Sequence, residues 1–148
     1  MTDLNENVRK IPSDRKRALN SLKMAEHKLE RAKADLGNNC YEDSLINAYT
    51  SMFHSARALL FRDGYKEKNH YGLCMYIREK YHGLLEMRYI NELNTLRTIR
   101  HKIIYGDEDV NIREVQEAET KSAIELAAGF LNAVKKLIEG NPQKNEQE

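Results

Sequence analysis

Between Leu96 and Gly106 the chain gathers Arg97, Arg100, His101, Lys102 and Tyr105. At about 100° per residue in a helix, Arg97, His101 and Tyr105 share one side at i, i+4 and i+8, with Arg100 adjoining Arg97 at i+3. Guanidinium groups make bidentate, charge-assisted hydrogen bonds to phosphate oxygens, and an imidazole moves protons near neutral pH. A helix edge of this kind can bind a phosphodiester. Cations also collect at helix C-termini because they complement the macrodipole, at about 0.3–1 kcal/mol each. Spacing alone leaves both readings open.

The edge needs a helix to carry it and a bundle to hold that helix. Ile90, Leu93, Leu96, Ile99 and Ile103 form an apolar stripe on another side of the same segment, which the pattern predicts to run from Glu86 to Tyr105 and to stop at Gly106. Four further helices are predicted. The first starts after Pro12-Ser13-Asp14, buries Ala18, Leu22, Ala25, Leu29, Ala32 and Leu36, and ends at Gly37. The second runs from Tyr41 to Asp63-Gly64 with an apolar face broad enough to place it centrally. After a loop over Tyr65 to Asn69, a short third helix spans His70 to Tyr81, and a last one spans about Asn111 to Glu139. Four long helices with short connections predict an all-α, up-down antiparallel four-helix bundle with an additional short helix.

The 148 residues suffice for one domain, divided as a polar leader (1–12), the bundle (13–139) and a disordered polar tail (140–148). Only 2 Pro and 7 Gly, with no two-residue alternation, exclude an all-β fold. The net charge of +1 argues against a nucleic-acid binder only until it is divided by segment. Residues 1–37 hold nine basic and six acidic side chains, residues 86–106 four and two, and residues 107–139 four and eight, so an acidic last helix masks a basic fourth. Cys40 and Cys74 cannot make a disulfide framework, and neither a signal-peptide pattern nor a membrane span is present, so a cytoplasmic protein is expected.

Arg100-His101-Lys102-Ile103-Ile104-Tyr105-Gly106-Asp107 resembles the signature of the HEPN domain (higher eukaryote and prokaryote nucleotide-binding): an Arg, a polar residue, three further residues, then His or Tyr. Residues 48–60, with Tyr49, Phe53, His54 and Arg57, are similar to the second helix of that family's small stand-alone bacterial and archaeal branch. Lys68-Asn69-His70-Tyr71-Gly72-Leu73 resembles the opening of its third. The resemblance covers roughly residues 15–139. It implies a homodimer in which two arginine motifs meet across a cleft, with no metal and no cofactor, and in catalytic members a metal-independent endoribonuclease acting on RNA through the ribose 2′-hydroxyl. It implies Arg100 as the phosphate-stabilising residue, His101 at the polar position and Tyr105 at the terminal one. It also implies a nucleotidyltransferase-type antitoxin as partner, which can nucleotidylate the motif tyrosine.

Tyr105 departs from the ribonuclease pattern. A phenol ordinarily titrates near about 10 and an imidazole near about 6.5, so Tyr is the poorer general base at neutral pH. Either His101 substitutes for the terminal His, or the site binds nucleotide or RNA without cutting it. A second reading is a non-catalytic interaction module whose Arg-rich edge is a dimer or partner interface.

Arg97, Arg57 and His70 are further candidates for nucleotide or phosphate binding. His70 follows Asn69 as a capping pair, and with Cys74 at i+4 it supplies only two ligands of a metal site. His54 and Arg57 sit on the crowded second helix, where interhelical hydrogen bonding competes with a role in the cleft. Tyr41, Tyr49, Tyr71, Tyr76 and Tyr89 form a set able to stack on bases, or to fill the bundle interior. No glycine-rich phosphate loop, paired-carboxylate motif or serine nucleophile motif appears.

Overall fold

The computed structural model describes residues 4–109 and 111–139, so the tail at 140–148 lies outside the described residues. In chain order the elements are α1 (Leu4–Asn7), β1 (Val8–Lys10), α2 (Arg15–Gly37), α3 (Tyr41–Asp63), β2 (Tyr65–Glu67), α4 (His70–Tyr81), α5 (Met87–Tyr105) and α6 (Glu117–Glu139). The four long helices form the expected bundle, with α4 as the additional short helix.

Helix α2 begins where Asp14 Oδ1 accepts the Arg17 N–H at 3.0 Å, and it buries Ala18, Leu22, Ala25, Leu29 and Ala32 on one stripe. Helix α3 lies antiparallel to it. Small side chains let the two backbones approach, and two hydroxyls fix the register: Ser44 Oγ donates to the Ala32 carbonyl at 2.6 Å and Ser51 Oγ to the Ala25 carbonyl at 2.8 Å. As its broad apolar face predicted, α3 is central, packing against α2, α5 and α6 and carrying buried Leu45, Tyr49, Met52, Phe53, Leu59 and Leu60. Phe130, Leu131, Val134 and Ile138 of α6 close the core from the other side.

Three expectations change in detail. Tyr65–Glu67, read as loop, is a strand paired antiparallel with Val8–Lys10, in register Val8 to Glu67 and Lys10 to Tyr65. The leader is therefore tied to the bundle, and Val8 is buried. Two glycines permit it. Gly64 ends α3 at φ +87°, where a Cβ would stand 3.0 Å from the Ile11 carbonyl oxygen; at Gly72 a Cβ would fall 2.2 Å from that of Asn7. Helix α6 starts at Glu117 rather than near Asn111, because Glu119 Oε1 reaches back to the Gln116 N–H at 3.0 Å as in a capping box. Asp107 meanwhile accepts from the Asp109 and Asn111 N–H groups, holding the preceding segment in a turn.

Candidate functional site

Helix α5 delivers the arginine motif, and α3 and α4 receive half of it. The Arg100 guanidinium carbon lies 5.9 Å from the Tyr49 ring centre on α3, and that of Arg97 lies 5.5 Å from the Tyr71 ring on α4. Arg97 is steadied by Asn94 Oδ1, one turn earlier, at 3.0 and 3.3 Å. Among the described residues Arg57, Arg62, Arg88 and Arg113 each pair with a carboxylate, whereas Arg97 and Arg100 do not. Both guanidiniums are half-buried and have no carboxylate counter-charge among the described residues, an arrangement chemically able to accept an anion.

His70 joins this cluster from the start of α4. Asn69 caps the helix as expected, its Oδ1 accepting the Gly72 N–H at 2.7 Å. The cap leaves the His70 ring free to turn inward, where Nδ1 is 2.6 Å from the Tyr49 hydroxyl and the ring stacks on Phe53 at 4.6 Å. Burial, and next the positive charge of Arg100, hold the His70 imidazole below its ordinary titration range. Burial and then the neighbouring Cys74 push the Tyr49 phenol well up, against the pull of Arg100 and Arg97. The pair is a neutral imidazole and a neutral phenol, so a single shared proton links them. Cys74, buried behind Arg97, is pushed up to about 11 by burial and is no thiolate at neutral pH.

The other half of the motif faces solvent. His101 and Tyr105 pack on each other, ring centres 4.7 Å apart, with Tyr105 64% exposed. Ile104 and Ile112 are also exposed. A groove of about 680 Å³ runs between the start of α3 and the end of α5, lined by Cys40, Tyr41, Ile46, Ile103, Ile104 and Val115 among others, and contains neither motif arginine.

The remaining candidates are distributed differently from the motif. Arg57 is held bidentate by Glu67 at 2.8 and 2.9 Å, so its charge is spent within the chain. Of the tyrosines, Tyr49, Tyr76 and Tyr89 are buried and serve the interior, while Tyr71 is half exposed beside Arg97. Tyr76 and Tyr81 both donate to Asp63 Oδ2, at 2.8 and 2.6 Å, which is a fold-locking role. Among the described residues no group of three or more His, Cys, Asp or Glu is placed to hold a metal. No described helix is long and apolar enough to cross a membrane.

On sequence Tyr49 stands in the second-helix segment and in the set of tyrosines able to stack on bases or fill the interior, and nothing there places it between His70 and Arg100. The signal was present as Tyr49, Phe53, Arg57 and Phe61, a row at i, i+4, i+8 and i+12 on α3. Its polar members were hidden by the apolar residues around them.

The family model for the HEPN domain matches residues 18–137. A protein of Methanocaldococcus jannaschii named "Putative toxin MJ0605" is 29% identical over 119 residues, covering 79% of this chain and 85% of that one. The match spans all four long helices apart from the first residues of α2 and the last of α6, and it includes the arginine motif with the Tyr49–His70 pair that receives it. The chain belongs to the HEPN domain family.

Proposed function

We propose that this protein is the toxin-like half of a HEPN and nucleotidyltransferase pair, and that it binds RNA phosphate with Arg97 and Arg100 in a cleft shared by two copies. The toxin-named relative supports the class, and one observation carries the site: neither guanidinium has a carboxylate partner among the described residues. An arginine that served only as an intrachain salt bridge would face Asp or Glu. In this reading Arg100 stabilises charge on the phosphate while His101, exposed one residue on, exchanges the proton of the ribose 2′-hydroxyl. Attack of that oxygen on the adjacent phosphorus breaks the bond to the 5′-oxygen, which takes up the proton that His101 received, and leaves a 2′,3′-cyclic phosphate and a 5′-hydroxyl. No metal or cofactor takes part.

Exposure of Ile104, Tyr105 and Ile112 favours a protein covering that end, either a second copy or the antitoxin. The Tyr105 hydroxyl is open to nucleotidylation by such a partner, and co-expression with it predicts a nucleotide-sized mass increase that Tyr105→Phe abolishes. The principal test is RNA binding and cleavage in chelator-treated buffer. Arg100→Ala is expected to lose both, and His101→Ala to lose cleavage while retaining binding. Failure of the wild type to bind or cut a broad RNA panel, with no effect of either substitution on nucleotide binding, overturns the proposal.

A further inference from the structure

The arginine motif is one end of a longer array. From Arg100 the contacts pass to Tyr49, through the Tyr49–His70 hydrogen bond to His70, and by ring stacking to Phe53. Arg57 lies over Phe53 at 4.9 Å and near Phe61 at 5.7 Å, and Arg17 of α2 lies over Phe61 at 4.2 Å. Tyr49, Phe53, Arg57 and Phe61 are successive members of the four-residue row on α3, which slants by about 40° per step around the helix axis. The row therefore leads from α5 across α3 to the opening turns of α2.

There it meets a cavity of about 280 Å³ lined by Arg17, Asn20, Ser21, Met24, His54, Arg57 and Phe61. Arg17 is exposed, with its guanidinium carbon 4.2 Å from the centre of the buried Phe61 ring. Lys28, three turns further along α2, lies close enough to act electrostatically on His54. Among the described residues neither Arg17 nor Lys28 makes an ion pair, while the acidic residues around them are engaged. Asp14 caps α2, Glu26 pairs with Lys135, Glu30 with Lys33, and Glu67 with Arg57. Burial, then Arg57 and Lys28, lower His54 to about 4, so at neutral pH it is an uncharged hydrogen-bonding group in a basic surround.

We infer that the α2–α3 face is a second contact site for the same RNA strand, with Arg17 and Lys28 on its phosphates and the cavity edge formed by Asn20 and His54 beside a base. This rests on the RNA reading of the Arg97 and Arg100 site and extends it from a point to a track. The rings of the row are buried and serve as supports rather than stacking platforms, so phosphate contacts dominate and binding is salt-dependent with little sequence preference.

The test compares a trinucleotide with a labelled single-stranded RNA of about 20 nucleotides, long enough to leave one site and reach another. Binding is read by fluorescence anisotropy across a salt series. The double variant Arg17→Ala/Lys28→Ala is expected to weaken the long RNA roughly tenfold and to lower its salt slope by about one to two, leaving the trinucleotide unchanged. Arg100→Ala weakens both probes. Arg17→Lys, which keeps the charge, restores the slope in the Lys28 background and separates a phosphate contact from a packing effect. If the double variant binds long RNA like the wild type while Arg100→Ala does not, the track is refuted and the arginine site stands. If the wild type binds neither probe, both readings fall. If the double variant keeps RNA but no longer co-purifies with the nucleotidyltransferase, the face is a protein surface and the RNA assignment is overturned.

Discussion

The two halves of the arginine motif differ in how much of the fold they engage. Arg97 and Arg100 are inserted among residues of three helices, above a Tyr49 that is 1% exposed and hydrogen-bonded to His70. One turn further on, His101 and Tyr105 contact each other and Tyr105 is largely open to solvent. The same eleven-residue stretch thus supplies a pair of positioned guanidiniums and an accessible pair of rings. The difference teaches that stability at one end of the motif resides in the buried Tyr49–His70 pair beneath the arginines, whereas the other end has no such support. Substitutions at the open end can alter chemistry or partner recognition while the bundle remains intact.

The sharpest break of that contrast is Tyr49→Ala against Tyr105→Ala. Removing the buried ring leaves a cavity under Arg100 and strips His70 of its partner, so a loss of about 3–5 kcal/mol is expected in urea unfolding. Tyr105→Ala is expected to change stability by less than about 0.5 kcal/mol, as at other exposed positions. Equal losses in the two variants would show that the open end is packed in solution. A second comparison sets Arg57→Ala against Arg100→Ala. Glu67, whose side chain is 5% exposed, would be left without its bidentate partner, at a cost of about 2–4 kcal/mol given that Arg57 itself is partly solvated. Arg100 has no carboxylate to abandon, so its removal costs less than about 1 kcal/mol of stability and shows instead in RNA affinity. Tyr49→Phe is the milder probe. It deletes the 2.6 Å hydrogen bond while keeping the ring, and about 1 kcal/mol is expected.

Helix periodicity made most of the bundle legible in sequence, because apolar stripes at three- and four-residue spacing have few other solutions. Local capping chemistry was legible at Asp14 and Asn69, where the predicted start and the observed bond coincide. The strand pair was not. Val8–Lys10 and Tyr65–Glu67 are three residues each, too short for a two-residue period to register, and their pairing depends on Gly64 and Gly72 admitting the leader against α3 and α4. The same division holds for the site. Arg97, Arg100, His101 and Tyr105 share one helix, so their spacing could be read directly. The meeting of Tyr49, His70 and Arg100 joins residues from three helices, and no spacing rule connects positions 49, 70 and 100. Charge pairing was equally hidden: Arg57 is the mate of Glu67 only because β2 folds back beside α3.

The smallest expected effect concerns acid. His70 lies beside the motif arginines and His54 on the α2–α3 face, and each is held below its ordinary titration range, chiefly by burial and then by neighbouring arginine charge, from Arg57 at His54 and Arg100 at His70; Glu67 opposes the shift at both. A histidine whose folded pKa is depressed takes up its proton more readily in the unfolded chain. As pH falls through about 6.5 the unfolded state begins to bind a proton that the folded state refuses, and the deficit at His54 grows until about pH 4, where the folded imidazole also protonates. Stability should therefore decline between those limits, to an extent moderated by solvent reaching His54 from the cavity on the α2–α3 face. His54→Gln retains a hydrogen-bonding group but removes the titration, so unfolding free energy measured from pH 7 to 4.5 should fall less steeply than in the wild type. His70→Gln should flatten the same curve, but with a constant offset because the bond to the Tyr49 hydroxyl is rebuilt or lost at every pH. A wild-type curve unaffected by either substitution would mean that both imidazoles are solvated as freely in the folded protein as in the unfolded chain, and the positioned half of the motif would lose its distinction from the open half.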